Sequence, residues 1–207
     1  MMETTHNFEF DAGRLCLDFA NTLGDRPDVQ PHEETLHSYA DLVAWSEAAG
    51  LVSGDEAAEF ARAAARHPVG ADSAFAQAIA LREAIYRVFA AVAAEAESPA
   101  DDLATVNAAI AEAMARARLV PAGGHFHWEW EREPSALGGL LRPVAWSAAE
   151  LLTAEELHRV HECAGPDCGW LFLDMSKNGS RRWCSMETCG NRAKARRHRE
   201  RRHAVVP

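Results

Sequence analysis

Four of the chain's five cysteines fall at Cys163, Cys168, Cys184 and Cys189. Two Cys-x4-Cys pairs separated by fifteen residues have the spacing of a tetrahedral metal site. Each pair holds one edge, and the intervening chain leaves and returns. In a reducing compartment such a cluster reads as metal ligands before disulfides. Four sulfur donors favour one zinc ion, and a site with all four positions filled is structural, not catalytic. A rival set of His158, His161 and Cys163 would leave the better-spaced cysteines idle. Gly165 and Gly190 stand where a chain folding tightly around sulfur has no room for a side chain. Cys16, between two leucines, reads as a small buried hydrophobe.

The chain between the two pairs carries strand and turn signals. Trp170–Leu173 is strand-like, and Asn178-Gly179 predicts a hairpin turn with both residues at positive φ. Arg181–Trp183 then returns toward Cys184. Four thiolates on a divalent ion leave a formal charge of −2, which Arg181, Arg182 and Arg192 can offset.

Beyond Cys189 the composition changes sharply. Residues 176–207 hold ten Lys and Arg against two acids, whereas residues 1–175 hold eleven against twenty-nine. The overall charge of −10 hides this split. Local fields, not averages, attract partners. Arg192, Lys194, Arg196, Arg197, Arg199, Arg201 and Arg202 make a helix that is positive nearly all round. Like-charge neighbours destabilise such a helix until an anion meets it. The phosphate backbone of double-stranded DNA is the natural anion, gripped by arginine forks. With Arg181 and Arg182, these residues form the candidate nucleic-acid surface. The cysteine module lacks an exposed aromatic stacking platform, which disfavours RNA.

These residues need a scaffold to position them. Phe8–Phe10 alternates like a short strand, and Asp25–Glu34 is a proline-containing loop. Four helices follow. The first has an apolar stripe from Leu36 to Trp45 and stops at Gly50; the second opens with the capping box Ser53–Glu56 and fades near His67-Pro68. A third spans about 72–97, with a core face that includes the Arg82 stem, and a fourth opens at Pro99. Residues 118–131 predict a β-hairpin with Phe126, Trp128 and Trp130 on one face. Residues 135–143 read as a loop, and further capping boxes are expected at Ser147–Glu150 and Thr153–Glu156.

In the N-terminal part, Asp18, Asn21, Trp45, His127 and Trp128 are the candidate contacts for a small-molecule effector. Each also has an ordinary role as a core or capping residue. No nucleophile–base set or phosphate loop is visible, so an enzyme is not expected. No apolar run approaches a membrane span, and the first residues lack a secretory pattern. The expected compartment is the cytoplasm. No heptad seam supports a homo-oligomer.

The motifs Phe172-Leu173-Asp174, Arg182-Trp183-Cys184-Ser185-Met186 and Cys189-Gly190-Asn191-Arg192 resemble the CGNR-type zinc finger of bacterial proteins. That family pairs the finger with an N-terminal ABATE domain. Gly13–Thr22 and Leu81-Arg82-Glu83-Ala84 resemble patterns of that domain. The resemblance implies a stress-induced transcription regulator whose first domain senses a small molecule. All four ligand positions of the finger pattern are present.

The expected fold is therefore α+β: an α-dominated N-terminal domain, 1–155, with a small antiparallel sheet. A zinc-bound, treble-clef-like β-hairpin–helix module, 156–207, follows. The expected function is DNA-binding regulation. The alternative is an adaptor whose finger docks an acidic protein without nucleic acid. The charge split also suggests that the acidic domain screens the basic helix.

Overall fold

The computed structural model describes residues 8–24, 26, 34–131 and 136–203, and only the backbone of 202 and 203. Seven helices and two small antiparallel sheets make up the described chain. A short helix α1, Leu15–Ala20, is almost wholly buried. Next in the chain come α2, Tyr39–Ala48, and α3, Gly54–Arg66. The long α4, Pro68–Ala93, and α5, Ala100–Ala115, complete this group. Phe19 of α1 meets Trp45 of α2 with ring centroids 5.0 Å apart, a contact at the centre of the core.

The helix signals held where they were local. Ser53 and Glu56 form the reciprocal capping box at the start of α3. Gly50 follows α2 at φ +71°, a conformation open to glycine without a Cβ clash. α4 begins at Pro68 rather than near 72, because proline fits a first-turn position whose amide needs no partner. It ends at Ala93 rather than near 97, where Glu95 turns to φ +52°.

The hairpin also matches its signal. β1, Ala117–Ala122, pairs with β2, His125–Trp130, through Gly123 and Gly124, both at positive φ. Trp128 and Trp130 pack on Trp146, at 5.3 and 6.5 Å.

Other expectations are overturned. Phe8–Phe10 is not a strand. The expected loop at 135–143 is, in its described part, a 3-10 turn, Leu137–Leu141, running into α6, Arg142–Leu152. Ser147 therefore lies inside α6 instead of capping it, and its hydroxyl accepts the Cys16 amide at 3.1 Å. Thr153 ends the same helix. The expected Asp25–Glu34 loop falls mostly outside the described residues. Its ends meet in a bridge between Leu23 and Glu34.

The C-terminal module starts with β3, Val160–Glu162, which pairs with β4, Leu171–Leu173. This corrects the expected pairing of Trp170–Leu173 with Arg181–Trp183. Val160, Leu171 and Leu173 belong to the main core, where β3 and β4 both pack on α4. Apolar strand residues find burial there that the charged 181–183 segment cannot supply. The turn at Ser176–Gly179 is closed by the Gly179 amide on the Ser176 carbonyl, 3.3 Å. Only Gly179, not Asn178, takes positive φ. The chain ends in α7, Asn191–His203.

Candidate metal centre and nucleic-acid interface

Cys163 and Cys168 sit on the loop that joins β3 to β4. The Cys163 amide donates to the Trp170 carbonyl at 2.8 Å, and the Cys168 amide to the Gly165 carbonyl at 3.2 Å. These bonds close a tight knuckle. Gly165 forms its floor: a Cβ there would lie 3.2 Å from the Cys168 Cβ and 3.4 Å from the Cys189 Sγ. Any side chain would press on the sulfurs. Cys184 follows the return segment, and Cys189 lies on a widened turn, Met186–Gly190, that leads into α7. Ser185 caps this turn, accepting the Thr188 amide at 3.4 Å.

All four sulfurs lie within 4.8 Å of one another, with Cys168–Cys184 at 3.5 Å and Cys184–Cys189 at 3.7 Å. Zn–S bonds of about 2.3 Å imply tetrahedral edges of about 3.8 Å. The pocket fits one zinc ion. Amides of Gly165 and Cys184 point at the Cys163 sulfur, at 3.5 and 3.3 Å. Hydrogen bonds from the Cys168 and Cys184 thiols, with those amides, favour Cys163 as thiolate. Once it is ionised, Cys168 and Cys184 are pushed far up. Thiolates crowded this closely repel one another, and a cation among them removes that repulsion. The chain has one structural zinc site, held by Cys163, Cys168, Cys184 and Cys189.

The surrounding shell is built from residues that the motifs contain. Asp174 is fully buried. Desolvation would raise its carboxyl, but bonds from Ser176 and the Arg181 amide, with the Arg159 charge, hold it low. Arg181 is committed to the finger itself. It donates to the Trp183, Cys184 and Asp11 carbonyls and lies over the Phe172 ring. Arg182 is exposed beside Trp183.

None of the described side chains of α7 is buried. Arg192, Lys194, Arg196, Arg197, Arg199 and Arg201 are all exposed. Arg196 pairs with Glu200 within the helix at 3.9 Å. The Arg202 side chain lies outside the described residues.

The N-terminal candidates divide into two groups. Asp18, Asn21 and Trp45 line one cavity of about 150 Å³ together with Trp170 of the finger. His127 and Trp128 lie on β2, outside that lining. Asn21 commits both amide atoms to β4: its Nδ2 donates to the Leu171 carbonyl at 2.8 Å, and its Oδ1 accepts the Leu171 amide at 2.9 Å. It is a clamp between α1 and the finger strand. Tyr86 adds a second tie, donating to the Gly169 carbonyl at 3.1 Å. Asn21→Ala leaves two buried backbone groups unpaired, at about 1–3 kcal/mol each. A fall in Tm of roughly 4–24 °C is expected for the zinc-loaded protein by calorimetry.

Sequence reasoning missed a buried ionic network. Arg82 is 2% exposed and grips Glu34 with two bonds of 2.7 Å. Its Nε donates to Glu83 at 3.0 Å. Arg26 donates to Glu83 at 2.8 Å and lies over the Tyr86 ring at 3.7 Å. The signal was an arginine on the core stripe of a helix, preceded by leucine and followed by glutamate. A groove of about 470 Å³ between α4, α5 and the 3-10 turn also had no sequence signal.

Comparison with known families agrees with this geometry. No curated protein matches the chain. The CGNR zinc finger model matches residues 159–202. The ABATE model, described as "Putative stress-induced transcription regulator", matches residues 13–155, more than half of the chain. The chain belongs to the ABATE family and carries a CGNR zinc finger after the ABATE region.

Proposed function

We propose that this chain is a DNA-binding transcription regulator in the bacterial cytoplasm. Its zinc finger, 156–207, presents α7 to duplex DNA, and its N-terminal domain, 1–155, responds to a small molecule. One observation carries the DNA reading: a helix dense in arginine, with none of its described side chains buried, is joined to a metal-fixed turn. A helix without an apolar face gains little from packing on its own protein. Polyanion contact supplies what packing does not. The anchored turn fixes the direction in which the helix leaves the body, as small metal modules do when they place a helix in the major groove. Arg181 is excluded from the contact surface, because its guanidinium already holds the finger together.

Gel-shift titration at several salt concentrations tests this. Each lost phosphate contact lowers the slope of log K against log salt by about 0.9. Arg196→Ala with Arg199→Ala is expected to lower it by about 1.8 and to weaken binding throughout. An unchanged slope would remove both residues from the interface. The adaptor reading predicts instead that heparin binds as well as any duplex selected from a random pool. Sequence selectivity over heparin favours regulation.

A further inference from the structure

The cavity between α1, α2 and the finger has an unusual chemistry for its size. Its aromatic walls are Phe8, Trp45 and Trp170. Asp18 and Glu9 contribute carboxylates, and no lysine or arginine is among the described residues that line it. Most other polar lining groups are already committed. Asn21 clamps Leu171, the Thr22 hydroxyl donates to the Phe19 carbonyl, and the Thr35 hydroxyl donates to the Thr22 carbonyl.

Asp18 differs from these. It is 8% exposed, and its Oδ1 accepts the Ala12 amide at 2.9 Å. Its other oxygen has no hydrogen-bond donor among the described residues. Burial pushes its carboxyl up to about 6, against the Ala12 bond, and Asp11 adds to the rise. A carboxylate placed among aromatic rings with a single hydrogen bond costs stability, and the sequence holds it there. The missing complement is a positive charge with an N–H.

We propose that this cavity binds a compact organic ammonium ion, with the N–H donating to the free Asp18 oxygen and the cation facing Trp45 and Trp170. The charge meets a carboxylate and ring faces, an attraction that strengthens as water leaves. A cavity of about 150 Å³ takes a molecule near the size of benzene, so roughly six heavy atoms. Anions are repelled, and neutral molecules leave the carboxylate unpaired. The site joins the two parts of the protein. Asp18 belongs to α1, whereas Trp170 precedes β4 and packs on the cysteine cluster. This deepens the ligand-sensing half of the proposed function and rests on it.

The test uses zinc-loaded, full-length protein and size-matched probes: piperidinium and n-butylammonium, neutral tetrahydropyran and butan-1-ol, and anionic butyrate. Binding is read by calorimetry and by tryptophan fluorescence. The ammonium probes are expected to bind at least tenfold tighter than their neutral counterparts, and butyrate not at all. Asp18→Asn is expected to abolish that preference and to raise Tm, because it removes a buried charge while keeping an acceptor for the Ala12 amide. Equal binding of cations and neutral isosteres, or no binding by the cations, overturns the proposal. The wild-type series decides this even if Asp18→Asn fails to fold. Duplex affinity measured with and without the amine is a separate reading. If the amine binds and duplex affinity stays constant, the cavity assignment stands and the sensing role falls.

Discussion

Cys184→Ser is expected to strip the protein of zinc, abolish duplex binding and lower Tm by more than 10 °C. Cys184 is buried and its sulfur touches those of Cys168 and Cys189. A hydroxyl in its place neither ionises nor binds zinc well, so one corner of the tetrahedron is lost. Structural zinc supplies roughly 10–16 kcal/mol to small finger modules, as much as a whole domain's net stability. The module has little else to hold it: beyond the cysteines its own core is Phe172 with Trp170 and Trp183. The damage also spreads. Val160, Leu171 and Leu173 are part of the main core, and burying each contributes about 1.5–3 kcal/mol. Freeing the hairpin would therefore loosen α1 and α4. Elemental analysis should fall from one zinc per chain to none, with the calorimetric melt shifting in step. Cys16→Ser is the control. Cys16 lies outside the cluster, and burial pushes its thiol up to about 12, so it should keep full zinc. Stoichiometric metal in the Cys184 variant would sink the four-sulfur assignment.

The metal site was legible because its constraint is local. Cys163-x4-Cys168 and Cys184-x4-Cys189 need only a short turn each, and spacing alone reports that. The capping box at Ser53 and the Gly-Gly hairpin were legible for the same reason. What the sequence hid was competition between distant segments. Ser147-x-x-Glu150 has the letters of a capping box, but α6 had already started at Arg142-Pro143 and the Cys16 amide claims the serine oxygen. Trp170–Leu173 looks like half of a hairpin with Arg181–Trp183 by proximity. The apolar side chains of β3 and β4 reach the body's core only if the two strands pair with each other. Arg181 reads as a phosphate contact by charge, yet three carbonyls nearby take its guanidinium.

The same competition explains how the finger is held. A metal module tied by a flexible linker would leave α7 free to sample directions. Here Asn21 and Tyr86 each bond the finger backbone, and the Leu173 amide donates to the Ala12 carbonyl at 2.8 Å. Asn21, in the ABATE motif at 13–22, therefore fixes the finger as well as its own domain. Any molecule that shifts α1 acts on the root of α7, the helix proposed to contact DNA, without touching it.

Arg82→Met should destabilise the protein by about 3 kcal/mol, a fall in Tm of roughly 6–12 °C. Methionine keeps the apolar stem but removes five donors. Glu34 then loses both of its 2.7 Å bonds, retaining the Leu36 amide at 2.8 Å. Glu83 keeps Arg26, at 2.8 Å, so its loss is smaller. Breaking one side of a partly buried pair costs more than the pair is worth, because a partly desolvated charge is left behind. The consequence is a distinctive mutant cycle. Glu34→Gln in the Arg82→Met background should recover part of the loss, since it discharges the stranded carboxylate, whereas Glu34→Gln alone destabilises. Arg82→Lys should not restore wild-type stability, because an ammonium cannot grip Glu34 by two parallel bonds and reach Glu83 as well. Urea melts of the four proteins measure the coupling directly. Additive effects would show that Arg82 acts by packing alone. Coupling of 1 kcal/mol or more, roughly the range for contacting charged residues, would show that Arg82 pins the Leu23–Glu34 bridge to α4.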